Sequence, residues 1–265
     1  MNSPLVSIVV NNYNNEIYLK DCIESLISQT YKNIEIVIVD AFSTDNSREI
    51  ISNYADRDTR IKTIFTENYE KYPANTYNLG FLNCSGVFIA INDPDDISMP
   101  TRVEKQLNYL LEHSNIGAVG CNVIEFNNEM ERVVLTTITK NIKLGNPPVR
   151  NPTLMFRKSI MAENGMWRWR NEYAADFEWL YRWYSSGVNF FILEETLVRY
   201  RFAHGSNLSV VHAINQTKKL AKFRLYFGFK LMKKTSFRWW FNTLFTFSYL
   251  ISLIIKKYLK NLVKK

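Results

Sequence analysis

Residues 83–100 read Asn-Cys-Ser-Gly-Val-Phe-Ile-Ala-Ile-Asn-Asp-Pro-Asp-Asp-Ile-Ser-Met-Pro. The apolar run 87–91 predicts a buried strand. It stops abruptly at Asp93-Pro94-Asp95-Asp96. Three carboxylates then crowd a strand end, the place where open α/β sheets hold ligands. Like charges this close repel unless a cation or a donor-rich ligand lies between them. A hard divalent ion with a bound phosphate meets that need, because Mg²⁺ is commonly held by one or two carboxylates plus substrate phosphates. A solvated acidic turn shaped by Pro94 would show the same residues without any function. The surrounding chain decides between the two.

Before this stretch, strand and helix signals alternate. Residues 6–10 are β-branched and strand-like; 18–28 have helical spacing, with Leu19, Ile23 and Leu26 on one face. Residues 34–39 predict a second strand ending at Asp40. Ser43-Thr44-Asp45 then offers capping chemistry for a helix through Ile50, Ile51 and Tyr54. A third strand is expected at 61–65, a helix at 74–84, and another helix at 101–113. Strands alternating with helices predict a largely parallel sheet in an α/β domain. Asp40 and Asp93 both follow strands, so one crevice could collect them. Further strands are expected at 117–125, 132–139, 153–156, 190–193 and 196–202. A loop is expected at 145–148 and a helix at 177–185, closed by Gly187.

The chain has 265 residues, of which 46% are hydrophobic and 14% aromatic, enough for one sizeable core. Cys22, Cys84 and Cys121 are widely spaced, which suggests a reducing compartment and no zinc site. The N-terminus has no basic leader pattern, so no signal peptide is expected. Charge is unevenly distributed. Residues 1–195 hold 18 Lys+Arg and all 25 Asp+Glu, whereas 196–265 hold 15 Lys+Arg and no acid. We divide the chain at 212: a catalytic-type domain over 1–212, and a basic, aromatic, helical tail over 213–265. Such a tail faces a polyanion, either an anionic membrane surface or nucleic acid. No RNA- or DNA-reading motif accompanies the charge, so the membrane is favoured and no nucleic acid is expected. The 17 uncharged residues 239–255 fall short of the roughly 20 a spanning helix needs. An interfacial helix anchored by Trp239, Trp240 and lysines fits better.

Taken together, these residues resemble the inverting family 2 glycosyltransferases of the GT-A fold. The resemblance runs over roughly 5–210 and is carried by ordered segments. They are Val6-Ser7-Ile8-Val9-Val10-Asn11-Asn12-Tyr13-Asn14; Ser25-Leu26-Ile27-Ser28-Gln29-Thr30-Tyr31-Lys32-Asn33-Ile34-Glu35; Val37-Ile38-Val39-Asp40 with Ser43-Thr44-Asp45; Asn78-Leu79-Gly80; Cys84-Ser85-Gly86; and Asn92-Asp93-Pro94-Asp95-Asp96. Arg199 to Ser209, through Arg201 and His204, is similar to the family's closing segment.

The resemblance implies a Rossmann-like, mostly parallel sheet flanked by helices. It also implies transfer of one sugar from a nucleotide diphosphate sugar to a glycan or polyprenyl-linked acceptor. In that family Asn11 and Tyr13 would lie against the donor base and Asp40 would help fix the nucleoside. Asp93 would hold the ribose. Asp95, Asp96 and His204 would hold Mn²⁺ or Mg²⁺, and Arg201 would neutralise the diphosphate. The base would be Asp176, with Glu178 and Glu172 as rivals. Two departures stand out: Asn11 replaces the family's usual Pro or Thr, and Ala41 replaces a second aspartate that can recognise uracil. A UDP-sugar is still the favoured donor, with TDP and GDP left open by the second departure. The resemblance and the basic tail together imply surface-polysaccharide synthesis at the cytoplasmic face of the membrane. The alternatives are a non-catalytic homologue that binds nucleotide sugars and a nucleic-acid-binding protein that uses the basic tail.

Overall fold

The computed structural model describes residues 3–68, 73–135, 137, 138, 147–168 and 175–202. The first half alternates as expected: β1 (Val6–Asn12), α1 (Glu16–Ile27), β2 (Ile34–Asp40), α2 (Ser47–Ala55), β3 (Ile61–Phe65), α3 (Pro73–Leu82) and β4 (Phe88–Asn92). Then come β5 (Ile97–Ser98), α4 (Arg102–Glu112), β6 (Ala118–Phe126), β7 (Glu131–Val134), a 3₁₀ turn (Asn151–Thr153) and β8 (Met155–Arg157). The described part closes with α5 (Ser159–Asn164), α6 (Ala175–Ser185) and β9 (Phe190–Arg201).

The nine strands among the described residues form one sheet in the order β3-β2-β1-β4-β8-β6-β9-β5, with β7 attached to β6. Strands β3, β2, β1 and β4 are parallel. Strand β8 runs antiparallel between β4 and β6, whereas β6 and β9 are parallel. Both faces of the sheet are covered. Ile8, Val10, Ile36 and Ile38 pack with Leu19, Ile23 and Leu107 on one side; Val9, Val37, Ile89 and Ile91 pack with Phe81, Trp179 and Trp183 on the other. Burial on both faces explains why these strands read as continuous apolar runs rather than alternating ones. The result is a mixed α/β GT-A-type fold with a curled, mostly parallel sheet, as expected.

Several segments of the resemblance serve architecture. Glu35 is buried in β2, and its Oε1 accepts bonds from Ser7 Oγ at 2.5 Å, the Ser85 amide at 2.5 Å and the Gly86 amide at 3.2 Å. Lys62 Nζ lies 2.5 Å from its other oxygen. A Cβ at Gly86 would stand 2.6 Å from Leu5 O and 2.7 Å from Ser7 Oγ, so only glycine lets this turn approach β1. Gln29, also buried, donates to Ser25 O and Met99 O and accepts from the Val103 amide. It thereby ties the end of α1 to the start of α4, just past the acidic loop.

The differences from sequence expectation are instructive. The two strands expected at 190–193 and 196–202 are one strand, β9, whose register on β6 shifts between Cys121 and Val123. Such a bulge lets residues bow out without breaking the ladder. Strand β7 is shorter than expected, and β5 and α5 were not foreseen, because two and six residues are too short for a periodicity to register. Among the described residues no helix is long and apolar enough to cross a membrane. The tail 213–265 lies outside the described residues.

Candidate active site

The C-terminal ends of β1, β2 and β4 form one edge, because the three strands are parallel and adjacent. Asp40 closes β2, fully buried. Its carboxylate accepts from Asn12 Nδ2 (2.8 Å), Ser43 Oγ (2.5 Å), the Ser43 amide (2.9 Å) and Arg48 Nε (2.8 Å). Four donors thus fix the β2 loop. The β1 loop is sewn to it: the Asn14 amide donates to Ser43 Oγ and the Thr44 amide donates to Asn14 Oδ1. Tyr13 leaves this loop 42% exposed. Asn11 Oδ1 is buried with no hydrogen-bond partner among the described residues, a free acceptor at the strand end.

The acidic loop follows β4 and is held from below. Arg102 is buried, and its guanidinium donates to Asn92 Oδ1, Ser98 Oγ, Ile91 O and Gln106 Oε1. These donors pin both sides of the loop and put a cation beneath three carboxylates. Asp93 accepts from Tyr77 OH at 2.8 Å. Its carboxyl is nonetheless raised, by burial first and then by repulsion from Asp95 and Asp176. Asp96 is fully buried; its Oδ1 accepts from the Arg201 amide, while Oδ2 has no partner among the described residues. Burial and the charges of Asp93 and Asp95 raise it too. Asp95 is raised by burial and partly relieved by Arg201.

Arg201 closes the far side. Its Nε donates to Asp95 O at 3.1 Å, and its guanidinium lies over Tyr18 (4.2 Å) and Phe126 (4.4 Å). A recess of about 300 Å³ opens here, lined by Asp95, Arg201, Phe202, Tyr18 and residues 127–129.

Asp176 lies in the first turn of α6, on the opposite half of the molecule in sequence. It is close enough to raise both the Asp93 carboxyl and the Tyr77 phenol. Its rival Glu178 is buried and engaged elsewhere, 2.9 Å from Arg182 and 3.7 Å from Arg168. Glu172 and His204 lie outside the described residues.

Sequence reading missed Tyr77 and Trp167. Their rings stack at 4.5 Å. Asn78 grips Trp167 by donating to its carbonyl and accepting from its amide, so α3 carries the segment that leads toward α6. The signal was present: Tyr77 and Phe81 share the buried face of a helix that begins beside the acidic loop.

No three His, Cys, Asp or Glu side chains converge as a closed metal cage among the described residues. The donor chemistry still fits a hard divalent ion. Asp95 and the unpartnered Oδ2 of Asp96 are oxygen donors of the kind such an ion takes, with the rest of its shell from phosphates and water.

A family model described as Glycosyl transferase family 2 matches residues 7–163. An uncharacterized glycosyltransferase of Haemophilus influenzae is 33% identical over 250 residues, covering 83% of this chain and 73% of the relative. A second from the same organism is 39% identical over 142 residues, 54% of this chain and 56% of the relative, so this chain matches little more than half its length. Among solved structures, Staphylococcus aureus TarS 1–349 in complex with UDP-GlcNAc superposes with a TM-score of 0.67 at 18% identity, over 94% of this chain and 81% of that one. The mannosyltransferase PcManGT from Pyrobaculum calidifontis, in complex with GDP-Man and Mn²⁺, gives 0.66 at 15%, over 93% and 70%.

Proposed function

The chain belongs to glycosyl transferase family 2, and from that premise we propose that it transfers a single sugar from a nucleotide diphosphate sugar, with inversion, to a glycan or polyprenyl-linked acceptor. One observation carries the reading: Asp176 on α6 lies within electrostatic reach of Asp93 at the end of β4. That proximity supports a base and a donor site sharing one crevice.

Asp40, Asn11 and Tyr13 form the nucleoside end, with Asp93 toward the ribose. Arg201 faces the diphosphate, whose negative charge grows as it leaves. A divalent ion, Mn²⁺ or Mg²⁺, held by Asp95, Asp96 and His204 with the donor's phosphates would supply Lewis-acid stabilisation of that leaving group. Asp176 takes the proton from the acceptor hydroxyl. The hydroxyl oxygen forms its bond to the anomeric carbon as the carbon–oxygen bond to phosphate breaks, and the nucleoside diphosphate leaves with the bonding electrons. A single in-line displacement inverts the anomeric centre, as with a base acting opposite a leaving group in inverting glycosidases. The raised Asp93 and Asp96 carboxyls fit a site designed for a polycharged partner.

TarS in complex with UDP-GlcNAc and PcManGT with GDP-Man and Mn²⁺ lend support to a nucleotide-sugar donor and a divalent ion. We favour UDP. The acid-free tail supports a membrane-surface partner and, together with the family likeness, a role in surface polysaccharide synthesis. The test is a panel of UDP-, TDP- and GDP-sugars assayed for hydrolysis and transfer, with product configuration read by NMR. Turnover of a UDP-sugar to an inverted product is expected; retention of configuration, or no turnover of any donor, overturns the proposal.

A further inference from the structure

Phe42 is out of place by ordinary rules. It follows Asp40 by two residues and adopts φ +65°, a left-handed conformation that residues with a Cβ seldom take. Its side chain is 38% exposed and belongs to neither core cluster. Strained backbone of this kind concentrates where a side chain must be aimed.

What surrounds it is built rather than loose. Arg48 lies 5.3 Å from the Phe42 ring and 5.3 Å from the Phe65 ring, the latter also 38% exposed. Arg48 cannot drift, because Nε is bound to Asp40 Oδ1 and its Nη2 donates to Thr66 O. The Ser43 amide, next in the chain, is bound to Asp40 as well. Phe42, Arg48 and Phe65 therefore form a fixed aromatic–cation shelf beyond the C-terminal ends of β2 and β3. An arginine needs no left-handed neighbour to stack on; glycine would relax the turn and leave Arg48 bound to Asp40.

We propose that Phe42 is a base-stacking residue, its ring presented to the nucleobase of the donor and backed by Arg48. The proposal rests on the donor reading above and adds a second ring to the base contact that reading gives Tyr13. An aromatic ring beside a nucleoside site offers stacking, which is strong and tolerant of base identity. It supplies affinity for the base where Ala41 presents no polar side chain.

Phe42→Gly and Phe42→Tyr in the full chain test it, with UDP and inorganic pyrophosphate as probes, each with Mn²⁺, in titration calorimetry. The glycine variant should bind UDP at least about tenfold more weakly, the scale of one lost stacking contact. It should leave pyrophosphate binding unchanged and melt a few degrees higher as backbone strain is relieved. The tyrosine variant should bind UDP like the wild type. UDP affinity within twofold of wild type in the glycine variant overturns the proposal, as does an equal loss for pyrophosphate. If the wild-type chain bound no nucleoside diphosphate, UDP and GDP included, the donor reading itself would fall and this contact with it.

Discussion

Glu35→Gln is the sharpest test of how this sheet is held. One oxygen of Glu35 collects three donors, Ser7 Oγ and the Ser85 and Gly86 amides, and the other faces Lys62. Glutamine can keep its carbonyl on the three donors, but its NH₂ then points at the Lys62 ammonium. The substitution loses one charge-assisted bond and weakens three others. Hydrogen bonds to charged groups contribute about 1.5–3 kcal/mol each, so about 2–3 kcal/mol is expected once the half-exposed Lys62 is discounted. For a chain of this size that lowers Tm by about 4–12 °C. The acid limb should change as well. Burial alone would raise the Glu35 carboxyl; Lys62, Ser7, Ser85 and Gly86 outweigh it and hold it at about 2, below the ordinary 4.5. A depressed carboxyl stabilises the fold above its unfolded pKa, and that stabilisation drains away as pH falls from 4.5 toward 2. Thermal melts followed by circular dichroism from pH 7 to pH 2 should show wild type losing this advantage and the glutamine variant lacking it throughout. Donor turnover at 25 °C should survive, since five residue steps along β2, about 16 Å, separate Glu35 from Asp40. A Tm within 1 °C of wild type, or an unaltered acid limb, refutes the reasoning.

Asp95→Ala should cut transfer by at least about 10²-fold, and EDTA should abolish it in wild type; full activity in EDTA would dismiss the metal. Asp176→Asn should preserve donor binding and reduce transfer by roughly 10²–10⁴-fold, and normal transfer in that variant would move the base elsewhere. Tyr77→Phe removes the 2.8 Å bond to Asp93. At about 1.5 kcal/mol for a bond to a partly exposed carboxylate, kcat/KM should drop about tenfold and Tm by about 3–6 °C; equal kinetics would make Tyr77 mere packing. The full chain should sediment with anionic vesicles at low salt, while a chain ending at His212 stays in the supernatant. Cosedimentation of both, or of neither, would count against the tail.

Much of this was legible in the chain because it was local. Strand β3 was expected at its observed limits, and β1, β2 and β4 within two residues, since buried parallel strands announce themselves as apolar runs. Asp40, Asp93 and Asp95 were visible as acids at strand ends. What was hidden was long-range. The Tyr77 phenol on Asp93 and the Asn78 grip on Trp167 join residues 16 and 89 positions apart, and no periodicity encodes such pairs. Arg102 was concealed differently: a charged residue opening a helix reads as solvated, yet this one is buried because Asn92, Ser98 and Gln106 meet its fork. The resemblance named Glu35 and Gln29 without revealing that they are braces.

The acidic loop has an awkward place in the order of synthesis. One side hangs from β4, which can pair with β1 as soon as both exist. The other side is β5, whose partner among the described strands is β9, through Ile97 opposite Arg199 and Ser98 opposite Val198. The Met99 amide reaches Leu197 O and Asp96 Oδ1 takes the Arg201 amide, again from β9. At about 5–20 residues per second, a ribosome needs roughly 5–20 seconds after making Ser98 to deliver that partner. During that interval the N-terminal half can collapse around α1 and α3 with Arg102 already pinning the loop from below, while Asp95 and Asp96 still lack their contacts with Arg201. The acidic loop thus gains its last described contacts only when residue 201 is made, and a chain stopped short of it would have a foldable N-terminal half with that loop incompletely held.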